Sequence, residues 1–242
     1  MPLHYLTARE RSTSANWKLA ALLAFVAGAV DVSGYLALRQ FTSHMSGIVS
    51  ALAADFALRG AEAIGPPSLV LVSFIAGAAV CALLVNFSRR RHREGLYALP
   101  LLLEATLLAC IAFPAVPSHI LLTLSLLSFS MGLQNAIIAK ISHAEIRTTH
   151  ITGMITDIGI ELGKALYWSR HTDPIPVHAD RHRLAHLSML VALFVTGGAL
   201  GAFLYPRIGF YLMLPLALLL ALPSILPIAS DLHIRHRPAP AS

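Results

Sequence analysis

Charged side chains are scarce in this sequence, since Asp, Glu, Lys and Arg make up only 12% of its 242 residues. Soluble proteins carry about 25%, so a soluble domain of this composition would struggle to cover its surface. Apolar residues account for 56%, and several runs reach the roughly 20 residues that a helix needs to cross a bilayer core of about 30 Å. The scarcity of charge therefore argues against a soluble domain and indicates a polytopic membrane protein.

Cysteine is also scarce, with Cys81 and Cys110 both inside apolar runs, where free thiols behave as small hydrophobes. Two separated cysteines argue against a disulfide framework and against a cysteine-based metal site. The net charge of +6 does not indicate nucleic-acid binding, because the basic residues cluster beside apolar runs, where they set membrane orientation.

Eight segments are apolar enough to enter a membrane. Two of them, Ser46–Arg59 and Thr152–Tyr167, reach only about 20–24 Å at about 1.5 Å per residue, and either dip into the bilayer or cross it. The six longer runs, predicted as spanning helices, are Trp17–Leu38, Ser68–Ser88, Leu96–Phe113, Ile120–Ala139, Leu187–Leu204 and Ile208–Ile228.

The basic residues favour six spans. With six spans and cytoplasmic termini, all of the 18 Lys and Arg residues except Arg39, Arg59 and Arg207 lie in the cytoplasm. Two additional crossings would place the basic run Arg89–Arg93 outside, against the positive-inside tendency. We therefore expect the two short segments to dip into the membrane, shielded by protein or water.

The first half of the sequence aligns with the second half. If each half holds three spans, the second half enters the membrane from the opposite side, as in the inverted repeats of many secondary transporters. Chance similarity between apolar helices is the alternative explanation. The matches, in chain order, are Gly28–Asp31 with Gly132–Asn135, Ser43–Gly47 with Thr149–Gly153, Phe74–Leu84 with Phe194–Leu204, and Pro100 with Pro215.

The predicted fold class is an all-α polytopic membrane protein, in which six transmembrane helices form two inverted three-helix repeats. Each repeat has a short dipping helix, either re-entrant or broken. The predicted divisions are a cytoplasmic tail (1–16), a first repeat (17–116), a second repeat (117–229) with a polar cytoplasmic loop (169–185), and a basic disordered tail (230–242).

The repeated phrase supplies most of the candidate site residues. Ser and Thr favour helix N-caps, and the N-terminus of a half-helix offers free N–H donors and partial positive charge. Two such ends meeting near the midplane would form a polar site for a substrate or ion; alternatively, these residues only cap the short segments. The candidates are Ser43, His44, Ser46 and Gly47 in the first copy and Thr149, His150, Thr152 and Gly153 in the second.

Four other candidates lie within predicted spans. A carboxylate inside a bilayer is a functional-site hypothesis by default, so Asp31 either takes up a proton or cation or makes a structural hydrogen bond to the nearby short segment. Asn135 is its counterpart, beside Gln134, and neutral amides join helices more often than they bind ligands. Glu104 is either a second titrating group or the partner of a donor on another helix.

These motifs together resemble a known family. "GAVD" in the first span, the following "F…MSG", and "GLQNA" and "TTHITG" in the second half are similar to the YoaK family of bacterial six-span membrane proteins, built around domain of unknown function 1275. The resemblance covers Trp17 to Ile228, with a departure at Ile48, where an amide is expected. It implies six spans in the bacterial plasma (inner) membrane, but it supplies no activity.

The sequence favours a small-solute transporter or channel with a polar site near the midplane. One alternative is a structural or regulatory module whose basic loops meet a partner or anionic lipid. A second alternative is an intramembrane hydrolase using His44 and Ser46, although His44 occupies the first glycine position of the rhomboid "GxSG" motif. We expect no catalytic residue, no metal and no cofactor. The expected partners are the lipid bilayer, a small solute or ion and further copies of the chain, not nucleic acid.

Overall fold

The protein is helical throughout the part of the chain that is described. The computed structural model describes residues 13–60, 65–91, 95–113, 116–141, 151–167 and 177–235, and no β-strand occurs among them. The helices are α1 (Thr13–Leu38), α2 (Met45–Arg59), α3 (Gly65–Arg90), α4 (Ala98–Ile111), α5 (Ile120–Ile141), α6 (Ile151–Leu166), α7 (Arg181–Ile208) and α8 (Met213–Arg235).

Within the described ranges, four apolar helical stretches are long enough to cross a membrane, namely Ala15–Leu38, Gly65–Arg90, Ile120–Lys140 and the 45-residue stretch Arg181–Ile225. The last contains α7 and α8, separated by a 3₁₀ turn at Gly209–Leu212. Gly209 takes a positive φ of 58°, which glycine adopts without steric cost. The all-α membrane class predicted from the sequence is therefore confirmed.

Several predicted boundaries are wrong. α4 has only 14 residues and is shorter than the predicted span Leu96–Phe113. α7 begins within the predicted polar loop 169–185, because the Asp180 side chain accepts a hydrogen bond from the backbone N–H of Arg183 and so caps the helix there. α8 continues to Arg235, within the predicted tail 230–242.

The two free cysteines differ in burial. Both lie inside apolar runs, but Cys81 is buried, whereas Cys110 on α4 is exposed. An exposed thiol on an apolar helix faces lipid in a membrane, so the composition of the run did not determine its burial.

Two crossed helix pairs form the centre of the bundle. α1 packs along α7, and α3 packs along α5. In the first pair, a Cβ atom on Gly28 would overlap the carbonyl of Phe194, and one on Gly197 would overlap the carbonyl of Phe25. Small residues at such crossings let two backbones approach closely, which is the usual way helices associate in membranes.

The second pair repeats these contacts with the matching residues. A Cβ atom on Gly132 would overlap the carbonyl of Phe74, and one on Gly77 would overlap the carbonyl of Phe129. Gly132 and Phe74 match Gly28 and Phe194 in the sequence alignment of the two halves. The aligned sequences therefore make equivalent contacts, in which each half supplies one helix of each pair.

The register of the contacts gives the direction of α1 and α7. Gly197 on α7 faces Phe25 on α1. One turn later on α7, Gly201 faces Ala29, which is one turn later on α1. Both helices therefore advance in the same direction, and α1 is parallel to α7.

α1 and α5, by contrast, are antiparallel. Gly34 near the end of α1 faces Leu127 near the start of α5. The carbonyl of Leu23, further back on α1, accepts a hydrogen bond of 2.9 Å from the Nε2 atom of Gln134, further along α5. Residue numbers therefore rise along one helix as they fall along the other.

The last residue of α1 and the first turns of α3 and α5 lie at one end of the bundle. Ile48, Val70 and Leu124 form a small apolar cluster, against which Leu38 and Met45 pack. Leu38 ends α1, while Val70 and Leu124 lie near the starts of their helices, so the end of α1 and the starts of α3 and α5 lie close together.

The opposite end joins the starts of α1, α4 and α7 to the end of α5. Trp17 stacks on His186, with ring centroids 4.2 Å apart. The hydroxyl of Tyr97, just before α4, donates a 3.4 Å hydrogen bond to the carbonyl of Lys140 on α5. α4 also packs along α8, which completes the bundle.

Candidate functional site

A cavity of about 600 Å³ lies between the starts of α2 and α6 and the middle parts of α3 and α5. Ligand pockets usually enclose about 300–1,000 Å³, are mostly apolar and carry a few convergent polar groups, and this cavity fits that description. Its lining residues are Ser43, His44, Met45, Ser46, Phe74, Ala78, Gly132, Asn135, Ala136, Ala139, Ile151 and Thr152.

The polar lining comes from residues that the sequence singles out. Ser43, His44 and Ser46 belong to the first copy of the repeated phrase, Thr152 belongs to the second, and Asn135 lies on α5 between them. Two segments about a hundred residues apart in sequence therefore meet at one cavity. Gly47 and Gly153 each follow a lining residue in the chain, whereas Thr149 and His150 lie outside the described residues.

The first phrase reaches the cavity because the chain reverses after α1. Arg39 adopts a left-handed conformation with φ of 57°, and the chain then folds back along the helix that it has just left. The backbone N of Thr42 lies 3.4 Å, and its hydroxyl 3.5 Å, from the Oδ1 atom of Asp31. Asp31 is seven residues before the end of α1, about 10 Å along the helix axis, so the phrase lies well inside the bundle.

Asp31 lies behind the cavity wall rather than on it. Its side chain is 6% exposed, and the hydroxyl of Ser43, a lining residue, is within hydrogen-bonding reach of the carboxyl group. The Thr42 contacts are longer than the usual 2.7–3.2 Å for an N–H donor, so they hold the carboxyl group loosely. Asp31 can therefore influence the cavity through Ser43 and the start of α2.

Ser46 is not the N-cap residue of α2. The N-cap residue of α2 is His44, and its side chain makes no capping hydrogen bond; Ser46 lies within the first turn of the helix. The His44 ring instead meets the edge of Phe41, whose ring stacks on Tyr35. The His44 side chain is therefore positioned by aromatic contacts and lines the cavity.

The two amides of α5 have different surroundings. Gln134 is fully buried and its Nε2 atom bonds to α1, so it joins two helices as neutral amides commonly do in membranes. Asn135 is half-buried and lines the cavity, and its Nδ2 atom donates a 2.8 Å hydrogen bond to the carbonyl of Met131 within α5. The structure thus brings Asn135 to the cavity and leaves Gln134 outside it.

Glu104 is not one of the residues that line the cavity. It lies on the buried face of α4 and is 0% exposed. Neither of its carboxyl oxygens has a hydrogen-bond partner in the part of the chain that is described.

Sequence reasoning missed the apolar part of the lining. Gly132, Ala136 and Ala139 form one face of α5, and Phe74 and Ala78 face them from α3. The spacing of four and then three residues places the α5 side chains on a single helix face. A stripe of small residues beginning in "GLQNA" is the signal that points to this wall.

Glu161 was also missed as an anchor. This residue of α6 is only 2% exposed. It accepts a 2.9 Å hydrogen bond from Lys164 and a 2.8 Å hydrogen bond from the backbone N–H of Asp180. These contacts fasten α6 to the start of α7 and so position Thr152 at the cavity.

Long apolar helices packed around a cavity with a polar rim define a multi-pass membrane protein. The chain belongs to the family described as protein of unknown function (DUF1275), whose model matches residues 19–226. It is similar to the UPF0700 transmembrane protein YoaK of Bacillus subtilis (strain 168), with 31% identity over 158 residues, 63% of this chain and 69% of that protein. No solved structure matches the chain. The resemblance to the YoaK family is therefore confirmed.

Proposed function

We propose that the protein moves a small solute across the bacterial plasma membrane, as a transporter or channel, through the cavity between α2 and α6. The observation that carries this proposal is that both copies of the repeated phrase contribute polar side chains to that cavity. If the phrase only capped two separate short helices, its copies would have no reason to meet.

The proposed topology has six spans in two inverted repeats. The antiparallel course of α1 and α5, which begin the two aligned halves, supports the inversion. The cluster that joins Leu38 to Val70 supports a re-entrant α2, since α3 starts where α1 ended. Both termini are then cytoplasmic, with the basic run at the end of α3 on the same side.

The proposed site combines a polar rim with an apolar wall. The starts of α2 and α6 present hydroxyl groups and the His44 ring, Asn135 presents an amide, and α3 and α5 present small apolar side chains. This chemistry suits a small solute with both polar and apolar parts. Asp31, coupled to the rim through Ser43, is the group proposed to take up a proton or cation during the cycle. No step of this cycle requires a catalytic residue or a cofactor.

The test is solute counterflow into proteoliposomes that contain the purified protein, with a broad panel of small solutes that includes polar, ionic and mixed polar–apolar compounds. Ala136→Phe places a ring in the cavity and is expected to lower the counterflow of the transported solute by at least about tenfold, equivalent to about 1.4 kcal/mol. Leu83→Phe is the matched control, because Leu83 is 67% exposed on the outer face of α3, and it should leave counterflow unchanged.

Two outcomes would overturn the proposal. One is that folded protein moves no solute of the panel. The other is that Ala136→Phe and Leu83→Phe reduce counterflow equally, because the cavity would then not be the pathway.

A further inference from the structure

Glu104 is an acidic side chain in the apolar interior between α4 and its neighbours, and the cavity does not account for it. Its side chain is fully buried, and so are Leu101 and Leu108, one turn away on either side along the same face of α4. The helix packs along α8 and contacts α5 and α3. Glu104 therefore faces protein rather than lipid or solvent.

Among the described side chains, none forms an ion pair with this carboxyl group that would stabilise its ionised form. Both of its oxygens are buried without a hydrogen-bond partner among the residues that the structure describes. An ionised carboxylate in such surroundings is strongly disfavoured, and proton uptake is the usual way to relieve the cost.

The titratable groups on the packed helices do not change this balance. On α3 they are Cys81, which is buried and interacts electrostatically with Glu104, and the exposed Arg89 and Arg90 at the far end. On α5, Lys140 is exposed and its carbonyl lies beside Tyr97, two turns before Glu104. On α8, the residues from Met213 to Ile225 include no titratable side chain.

We propose that Glu104 is a proton-binding site of the folded protein, occupied by a proton at neutral pH and emptied only when the packing around α4 opens. The ligand is a single proton, taken up and released by the carboxyl group without any other covalent change. The site is distinct from the cavity between α2 and α6, so it stands or fails independently of the proposed solute transport.

The repeat supplies a matched apolar variant. Pro100 aligns with Pro215, so the position equivalent to Glu104 in the second half is Leu219. Glu104→Leu therefore introduces the side chain that occurs at the equivalent position of α8. Glu104→Gln keeps the approximate shape of the carboxyl group but has no titratable proton.

The first experiment compares unfolding equilibria of wild type and Glu104→Gln in detergent between about pH 5 and 8. An unfolded glutamate ionises near pH 4.3, so a folded state that must keep its proton loses stability as the pH rises. The folding equilibrium constant of wild type, relative to that of the variant, is expected to fall about tenfold per pH unit. Glu104→Leu serves as the pH-independent reference if the glutamine variant does not fold.

The second experiment records infrared spectra of the folded protein in lipid at neutral pH. The stretching band of a protonated carboxyl group should be present in wild type and should lose intensity in Glu104→Gln and Glu104→Leu. A wild-type spectrum that matches those of both variants in this region would overturn the proposal. So would a ratio of folding constants that stays constant or rises with pH.

Discussion

The α1–α7 pair and the α3–α5 pair share a backbone arrangement but differ in how the space beside the crossing is filled. In both pairs, glycines bring carbonyl groups into close contact with the opposite helix. Beside the α1–α7 crossing, a methyl group of Val32 lies 3.0 Å from the position that a Cβ on Gly198 would occupy. At the corresponding place between α3 and α5, Ala78 and Ala136 line the cavity.

The difference arises from a few side chains. Val32 and Tyr35 on α1 correspond to Ala136 and Ala139 on α5, counted from the aligned glycines. Tyr35 stacks on Phe41, whereas Ala139 leaves its space to the cavity. The aligned glycines thus determine the two helix crossings. Side-chain volume determines that the cavity lies beside the α3–α5 crossing and not beside the α1–α7 crossing.

The largest effect is expected from Gly28→Ala and Gly77→Ala, because each would drive a methyl group into a carbonyl on the partner helix. Overpacking of this kind costs about 1–3 kcal/mol or more, and the two variants should lose similar amounts, since the contacts are equivalent. Unfolding in detergent measures the loss. Gly159→Ala on α6 is the control: no atom lies within 4 Å of its added Cβ, so it should stabilise the helix by up to about 1 kcal/mol.

The next largest effect is expected at Val32, which fills the space beside the α1–α7 crossing. Val32→Ala removes two methyl groups beside Gly198 and makes the α1–α7 pair resemble the α3–α5 pair. At about 0.8 kcal/mol for each buried carbon, the free energy of unfolding should fall by about 1–2 kcal/mol. Ala136→Val adds the same groups on the hollow side, where the cavity has room for them, and should leave unfolding within about 0.5 kcal/mol of wild type. Equal losses in both variants would contradict the comparison.

A third prediction concerns Asp31, whose aligned position in the second half is occupied by Asn135. Asp31→Asn retains an oxygen that can accept from Thr42, and the contacts it replaces are long. The free energy of unfolding should therefore change by less than about 1 kcal/mol. Solute counterflow should nevertheless fall at least about tenfold, equivalent to about 1.4 kcal/mol, because the amide takes up no proton near neutral pH and carries no negative charge to attract a cation. Unaltered counterflow in a folded Asp31→Asn protein would remove Asp31 from the proposed cycle.

The smallest effect is expected at the start of α7, where Asp180 caps the helix. Hydrogen bonding from the backbone N–H of Arg183 lowers the pKa of Asp180 below its usual value. A carboxyl group with a lowered pKa stabilises the fold above its unfolded pKa of about 3.9 and loses that contribution as the pH falls through the folded value. The protection of the amides in the first turn of α7, measured relative to their intrinsic exchange rates at each pH, should therefore decrease only below about pH 4. Asp180→Asn, which keeps a capping oxygen but cannot titrate, should remove this acid response; an identical acid response in both proteins would contradict it.

The sequence predicted the class, the family and most helices because long apolar runs and repeated motifs are local properties. One alternative for Asp31 was a hydrogen bond to the nearby short segment. The observed contacts of Asp31 are with Thr42, three residues before α2 begins. The location of the cavity was not predictable in the same way, because a cavity depends on which small side chains face one another across two helices. Ala78 and Ala136 are unremarkable in an apolar run, and only the α3–α5 crossing brings them together.

The shortness of α4 has a consequence for the surrounding lipid. Its 14 residues reach about 21 Å, whereas the hydrocarbon layer is about 30 Å thick. In the proposed six-span arrangement, exposed residues such as Cys110 lie at the lipid boundary, and the bilayer thins locally or polar residues that flank α4 are drawn inward. The protein should therefore be most stable in membranes of short acyl chains, and chain length becomes a physical control on the α4–α8 contact.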